Sequence, residues 1–151
     1  NQYDTDAMKG LFLKSGYEIV DFEDVADIYV INTCSVTHMG EKKSRQLIRK
    51  AKRNNEKSHV IVTGCYAQLD PDTIAAIDGV SLVIGTANRN KIVELVEQVE
   101  ATEKQINAVR DIMGESTFEE MPLLGNELDK TRAFMKIKEG CNNYCSVFII
   151  P

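Results

Sequence analysis

The sequence predicts an α/β fold, in which helices cover both faces of a mostly parallel β-sheet. Short runs of β-branched residues alternate along the chain with segments whose apolar side chains recur every three or four positions. A length of 151 residues corresponds to one ordinary domain, large enough to bury a core without disulfides or metals. Alternating strands and helices therefore indicate repeated βα units.

The individual elements follow from local patterns. Four apolar runs predict strands, at residues 17–22, 28–32, 59–63 and 80–84. Gly16 is expected to end the first helix, Pro71 to begin a short one, and Asn88 to cap the last. The predicted helices cover residues 4–15, 39–53, a short stretch from 71, and a segment with the stripe Ile92, Leu95, Val96 and Val99.

The strand predicted at 17–22 conflicts with a simple parallel sheet. Only residues 23–27 separate it from the next strand, whereas a parallel crossover needs about a dozen residues or more. The sequence leaves the direction of this strand open.

The domain organisation is predicted from the change in pattern along the chain. Residues 1–103 carry the βα pattern, and residues 104–131 lose it and are interpreted as a linker. At 132–138 the alternation of apolar and polar residues resumes, which predicts the first strand of a second, truncated domain at 132–151.

Composition narrows the class of protein. No run reaches the roughly 18 apolar residues of a transmembrane helix, and the first residues lack a signal region, so we expect a cytoplasmic protein without a membrane anchor. The net charge is −5. Residues 41–53 nevertheless hold seven basic residues against one acidic residue, a local charge of +6 that leaves −11 for the rest.

This basic helix is a candidate surface for a phosphate backbone. Four of its seven basic residues recur every three or four positions and therefore share one helical face. The alternative is an ordinary solvated helix face. The candidate RNA-binding residues are Lys42, Arg45, Arg49 and Lys52.

The four cysteines, Cys34, Cys65, Cys141 and Cys145, are candidate ligands. Cys34 and Cys65 each follow a predicted strand, and parallel sheets bind ligands beyond the carboxyl ends of their strands. Cys141 and Cys145 form a Cys-x-x-x-Cys pair in a predicted loop, a spacing that also occurs at metal sites. Packing as small buried apolar side chains remains the alternative for both pairs.

Four motifs occur together and in a fixed order. They are Asn-Gln-Tyr-Asp at 1–4, Ile-Asn-Thr-Cys-Ser-Val-Thr at 31–37, Thr-Gly-Cys-Tyr-Ala-Gln at 63–68 and Glu-Gly-Cys-Asn-Asn-Tyr-Cys at 139–145. With them the chain resembles the amino-terminal part of the radical-SAM methylthiotransferases, over essentially its whole length. The resemblance implies a Rossmann/flavodoxin-like amino-terminal domain followed by the first strand of a radical-SAM barrel.

The resemblance also implies cofactors: two 4Fe–4S clusters and S-adenosylmethionine. Cys34 and Cys65 match two of three ligands of an auxiliary cluster, and the third family cysteine would precede Asn1, together with a first strand. Cys141 and Cys145 match two ligands of the cluster that binds S-adenosylmethionine. The sequence departs from the family pattern with Val147 and Phe148, where the family has an aromatic residue and then a third cysteine. Phenylalanine cannot ligate iron.

The resemblance further implies a reaction, the addition of a methylthio group to an adenosine of tRNA. The motifs look most like the branch that acts on threonylcarbamoyladenosine beside the anticodon. The isopentenyladenosine branch and the ribosomal-protein branch are the alternatives, and a flavodoxin-like binding module without this chemistry is the other class. We expect the 151 residues alone to be inactive. The sulfur donor and the oligomeric state do not follow from the sequence.

Overall fold

The computed structural model describes residues 2–33 and 38–112, with side chains in the second range described from residue 42. These residues form a three-layer α/β/α arrangement. The helices are α1 (Gln2–Lys14), α2 (His38–Asn54), α3 (Cys65–Leu69), α4 (Pro71–Ala75) and α5 (Ile92–Thr102), with a 3₁₀ turn at Arg89–Lys91. The strands are β1 (Ile28–Thr33), β2 (His59–Gly64), β3 (Val80–Val83) and β4 (Ile106–Asn107).

The four strands form one sheet in the order β1-β2-β3-β4, and every neighbouring pair is parallel. The pairing of β1 with β2 runs from Ile28 opposite His59 to Thr33 opposite Gly64. This sheet confirms the predicted α/β class. Its carboxyl edge is the end at which β1 and β2 both stop.

Two apolar clusters hold the layers together, one on each face of the sheet. On one face, Ile48 and Ala51 of α2 and Ile74 of α4 are fully buried against β1, β2 and β3. On the other face, α1 and α5 pack against Ile61 and Leu82. Because β2 is covered on both sides, its centre is a continuous run of buried valine and isoleucine.

The predicted helix ends are partly confirmed. Gly16 has φ +87° and follows α1, and the Tyr17 amide donates to the Phe12 carbonyl at 3.1 Å, closing the last turn. Pro71 begins α4 as predicted. The prediction for Asn88 is wrong in detail: it precedes the 3₁₀ turn with φ +65° and makes no side-chain capping bond, and α5 begins at Ile92.

The strand predicted at 17–22 is wrong. These residues join no ladder, and their aromatic side chains pack on neighbouring elements instead. Tyr17 lies edge-on to Phe12 and donates its hydroxyl to Glu100 on α5 at 3.3 Å, while Phe22 packs edge-on against Tyr29. Burial and then the Glu100 carboxylate raise the pKa of Tyr17 above its usual value, so the phenol stays protonated as the donor.

Strand β4 lies within the stretch interpreted as a linker from its sequence. It pairs Ile106 with Leu82 and Asn107 with Val83. Two residues are too few to show a period, which is why the sequence pattern missed this strand. The predicted second domain at 132–151 lies outside the described residues, and the domain boundaries remain predictions. None of the helices in the described ranges could cross a membrane.

Candidate metal centre at the carboxyl edge of the sheet

In the register of β1 and β2, the residues directly before two candidate ligands are paired at the carboxyl edge of the sheet. Thr33 pairs with Gly64, and these are the residues directly before Cys34 and Cys65. Cys65 is the first residue of α3 and is a half-buried thiol. Cys34 lies outside the described residues. The predicted position of Cys65 at a strand end is what the structure shows.

Two buried threonines join the strand ends, each through a hydrogen bond from its hydroxyl to a backbone carbonyl. The Thr33 hydroxyl donates to the Thr63 carbonyl at 2.6 Å, and the Thr63 hydroxyl donates to the Gly85 carbonyl at 3.0 Å. The Thr33 oxygen also accepts from the Ala67 amide of α3 at 3.4 Å. These bonds fix β1, β2 and the end of β3 relative to one another. The sequence analysis did not predict these bonds, although each motif has a threonine near its cysteine. Thr33 lies one residue before Cys34, and Thr63 lies two residues before Cys65.

Gly64 brings β2 unusually close to β1 just before Cys65. Its φ of +98° and ψ of −167° belong to a region that only glycine populates readily. A Cβ at this position would lie 2.4 Å from the Thr33 carbonyl oxygen and 2.6 Å from Asn32 Oδ1. The missing side chain therefore lets the backbone before Cys65 lie directly against the end of β1.

Asn32 links this edge to the first turn of α1. Its Nδ2 donates to the Thr5 hydroxyl at 3.2 Å. Its Oδ1 is buried and accepts no hydrogen bond from the residues that the structure describes. The start of α1 and the end of β1 are therefore joined beside Gly64, with one polar atom left to receive a donor.

A second contact holds the first turn of α1. Asp4 and Arg89 form an ion pair with 2.7 Å between Oδ2 and Nη1, and their side chains are only 4% and 2% exposed. Arg89 also donates from Nε to the Thr86 carbonyl at 2.7 Å. Sequence reasoning missed this pair because the partners stand 85 positions apart and no local pattern connects them.

The basic helix α2 reaches the same edge through one arginine. Arg45 Nη2 donates to the hydroxyl of Tyr66 at 2.9 Å, and Tyr66 directly follows Cys65. Lys42 and Arg49 are exposed, as the RNA-binding prediction requires. Lys52 is half-buried and donates to the Glu56 and Ser58 carbonyls at 2.8 and 2.7 Å, so its ammonium already has structural partners.

The complete ligand sets lie beyond what the structure describes. Cys141, Cys145 and Phe148 all fall in residues 113–151. Within 2–33 and 38–112, no three His, Cys, Asp or Glu side chains come together as a metal site. Cys65 is thus the candidate ligand that the structure describes. Its half-buried place beside a glycine-made close approach suits the soft thiolate chemistry of an iron–sulfur cluster.

Residues 1–85 match the uncharacterized protein family UPF0004. This chain belongs to that family. The matched range contains both cysteine motifs of the carboxyl edge, at 31–37 and 63–68. In this UPF0004 chain, Gly64 and the two threonines thus lie within the part that defines the family.

Curated relatives connect this UPF0004 chain to methylthiotransferases. It is 49% identical over all of its length to the threonylcarbamoyladenosine tRNA methylthiotransferase MtaB of Bacillus subtilis (strain 168), and covers 33% of that protein. It is 42% identical to the MtaB of Aquifex aeolicus (strain VF5), again over its whole length and 37% of the relative. It is 31% identical to the ribosomal protein uS12 methylthiotransferase RimO of Microcystis aeruginosa (strain NIES-843 / IAM M-2473), covering 34% of that relative. The resemblance to methylthiotransferases is confirmed, and the chain spans about a third of these relatives' length.

Proposed function

We propose that Cys34 and Cys65 bind one 4Fe–4S cluster at the carboxyl edge of the sheet, within an enzyme that adds a methylthio group to threonylcarbamoyladenosine in tRNA. The observation that carries this proposal is the register that pairs Thr33 with Gly64. Each candidate ligand directly follows one member of that pair.

Chain geometry limits the separation of the two cysteines. Neighbouring strands lie about 4.8 Å apart, and consecutive Cα atoms are about 3.8 Å apart whatever the path of the chain. The Cα atoms of two residues that follow a partnered pair therefore lie within about 12 Å of each other. Metal–sulfur bonds of about 2.3 Å and flexible cysteine side chains allow one cluster to bind both.

The remaining cofactors are carried over from the family resemblance. Cys141 and Cys145 would bind a second 4Fe–4S cluster, and that cluster would bind S-adenosylmethionine. These groups would supply the radical and sulfur chemistry, while the residues of the carboxyl edge hold the thiolates in place. Thiolate-ligated clusters fit the reducing cytoplasm, where cysteines stay unpaired by disulfides.

The tRNA substrate is favoured by two observations. Two relatives named MtaB match the whole chain at 49% and 42% identity. The exposed cations of α2 also form a surface suited to a phosphate backbone, which a ribosomal protein does not offer. Because a relative named RimO also matches the chain, ribosomal protein uS12 is an alternative substrate. An isopentenyladenosine of tRNA is a second alternative.

Removing either proposed ligand is expected to remove the same cluster. In the full-length protein reconstituted anaerobically with iron and sulfide, Cys65→Ser and Cys34→Ser each lose roughly the iron of one cluster. Since both thiolates serve one cluster, the double variant loses no more than either single one. Iron and acid-labile sulfide assays measure the loss, with circular dichroism to verify folding. Unchanged iron in all three variants would favour the binding-module alternative.

Reversing two exposed charges of α2 is expected to weaken tRNA binding. Lys42→Glu with Arg49→Glu removes cations that neutralise phosphates, so affinity falls and the log–log salt slope decreases by about one for each lost phosphate contact. Filter binding at three salt concentrations measures both quantities. This pair spares Arg45, whose bond to Tyr66 reaches the cysteine segment.

The matched control reverses two exposed lysines away from α2. Lys9 lies on α1 and Lys104 lies two residues after the end of α5, and these two helices cover the opposite face of the sheet. Lys9→Glu with Lys104→Glu changes net charge equally and leaves the salt slope at its original value. Equal loss of affinity in both pairs would mean that only net charge matters, and would contradict a specific RNA surface on α2.

A further inference from the structure

We infer that Gln68 is a positioning residue that couples the path of the chain after β4 to the Cys65 site. The inference rests on the proposed role of Cys65 as a ligand. Gln68 lies on α3, three residues after Cys65, and its carboxamide spans two separate segments. Its Oε1 accepts from the Thr86 amide at 2.9 Å and from the Thr86 hydroxyl at 3.3 Å. Its Nε2 donates to the Arg110 carbonyl at 2.7 Å.

The fold makes room for this carboxamide. A Cβ on Gly85 would lie 2.0 Å from Gln68 Oε1, so the amide occupies the space that the glycine leaves open. Val109, next to Arg110, packs against the cluster on the α2 face of the sheet. The carboxamide is therefore confined between the end of β3 and the segment after β4.

Helix α3 depends on such contacts for its position. Five residues form little more than one turn and have little stability of their own. Gly64 and the Ala67 amide attach its start to the end of β1. Gln68 attaches its end to Thr86 and Arg110. Because both attachments hold the same turn, a displacement of residue 110 is transmitted to Cys65 through one side chain.

The second cysteine pair, Cys141 and Cys145, comes after this segment in the sequence. Residues 111–140 separate Arg110 from Cys141. A displacement of the backbone at Arg110 would thus reach the Cys65 site through Gln68. This deepens the proposed function by naming a residue that positions Cys65.

Gln68→Glu tests the coupling with one atom changed. The carboxylate keeps an acceptor for Thr86 but places an oxygen against the Arg110 carbonyl, replacing an attraction by a repulsion. In the metal-free 151-residue chain at pH 8, we expect amide exchange at residues 106–110 to rise at least tenfold. We also expect iodoacetamide to alkylate Cys65 at least fivefold faster, measured on the Cys65 peptide by mass spectrometry.

Gln105→Glu is the matched control. Gln105 Nε2 donates to the Ala75 and Val80 carbonyls at 2.7 and 2.8 Å, so it also holds the start of β4, but these two acceptors lie on α4 and β3 and not on α3. This control is expected to raise amide exchange near β4 and leave Cys65 alkylation at its original rate. Equal acceleration in both variants, or none with Gln68→Glu, would overturn the inference.

A second variant covers misfolding. If circular dichroism shows that Gln68→Glu does not fold, Gln68→Ala is read in the same way, since it removes the link without adding a charge. The experiment contains no iron, so its outcome is independent of cluster binding. Loss of the proposed cluster function would appear in the iron assays of the cysteine variants and leave this result standing.

Discussion

Replacing Gly64 by alanine is expected to lower the free energy of unfolding by about 3 kcal/mol or more. Forcing a non-glycine residue into its backbone region costs about 1–3 kcal/mol. The new methyl group adds a clash with the Thr33 carbonyl oxygen, which lies 2.4 Å from its position and belongs to rigid backbone. Urea denaturation followed by circular dichroism measures the loss. The alkylation rate of Cys65 is expected to rise in parallel.

Gly16→Ala is the control for backbone conformation alone. Gly16 also has positive φ, at +87°, but a Cβ there meets nothing within 4 Å. Its substitution is expected to cost about 1 kcal/mol. The difference between the two glycines then measures the close approach of β2 to β1. Equal losses at both positions would contradict a packing role for Gly64.

Removing one partner of the Asp4–Arg89 pair is the second large effect. Arg89→Met leaves the Asp4 carboxylate buried without its cation, and such losses amount to about 3–5 kcal/mol. The double variant Asp4→Leu with Arg89→Met removes both charges and is expected to recover at least half of that loss. Thermal and urea unfolding of the two variants measure the free energies that form the comparison.

An exposed ion pair supplies the control. Lys50 pairs with Glu23 on the other face of the molecule, and their side chains are 36% and 72% exposed. Lys50→Met is expected to cost less than about 1 kcal/mol, because water and salt screen such pairs. A cost for Arg89→Met as small as this would show that the buried pair does not fix the start of α1.

Apolar periodicity predicted the fold because the buried positions of a helix or strand recur at a fixed spacing within a short stretch of sequence. The runs at 28–32, 59–63 and 80–84 became three neighbouring strands, and the stripe on α5 became its core face. The apolar residues at 17–22 gave the same signal for a different reason. Tyr17 and Phe22 are half-buried by aromatic packing and do not belong to a strand, and composition does not distinguish these two kinds of burial.

The site was predicted where its chemistry is visible in residue type. Cysteines after strands located the carboxyl edge, whereas the residues that shape that edge went unnoticed. The hydroxyls of Thr33 and Thr63, the carboxamide of Gln68 and the buried Arg89 all act on partners that are distant in sequence. These contacts form only when the chain is folded and join residues that are distant in sequence, so no local sequence pattern predicts them.

The sequential order of the strands also bears on how the chain is made. Within the described residues, β2, β3 and β4 each pair with the strand synthesised just before them, so this part of the sheet can grow at its newest edge as the polypeptide leaves the ribosome. The α2 face can close once β3 has emerged. The opposite face needs α1 and α5 together, and its ion pair joins Asp4 to Arg89. Until α5 (Ile92–Thr102) has been synthesised, that apolar face is therefore open to chaperones rather than covered by this helix.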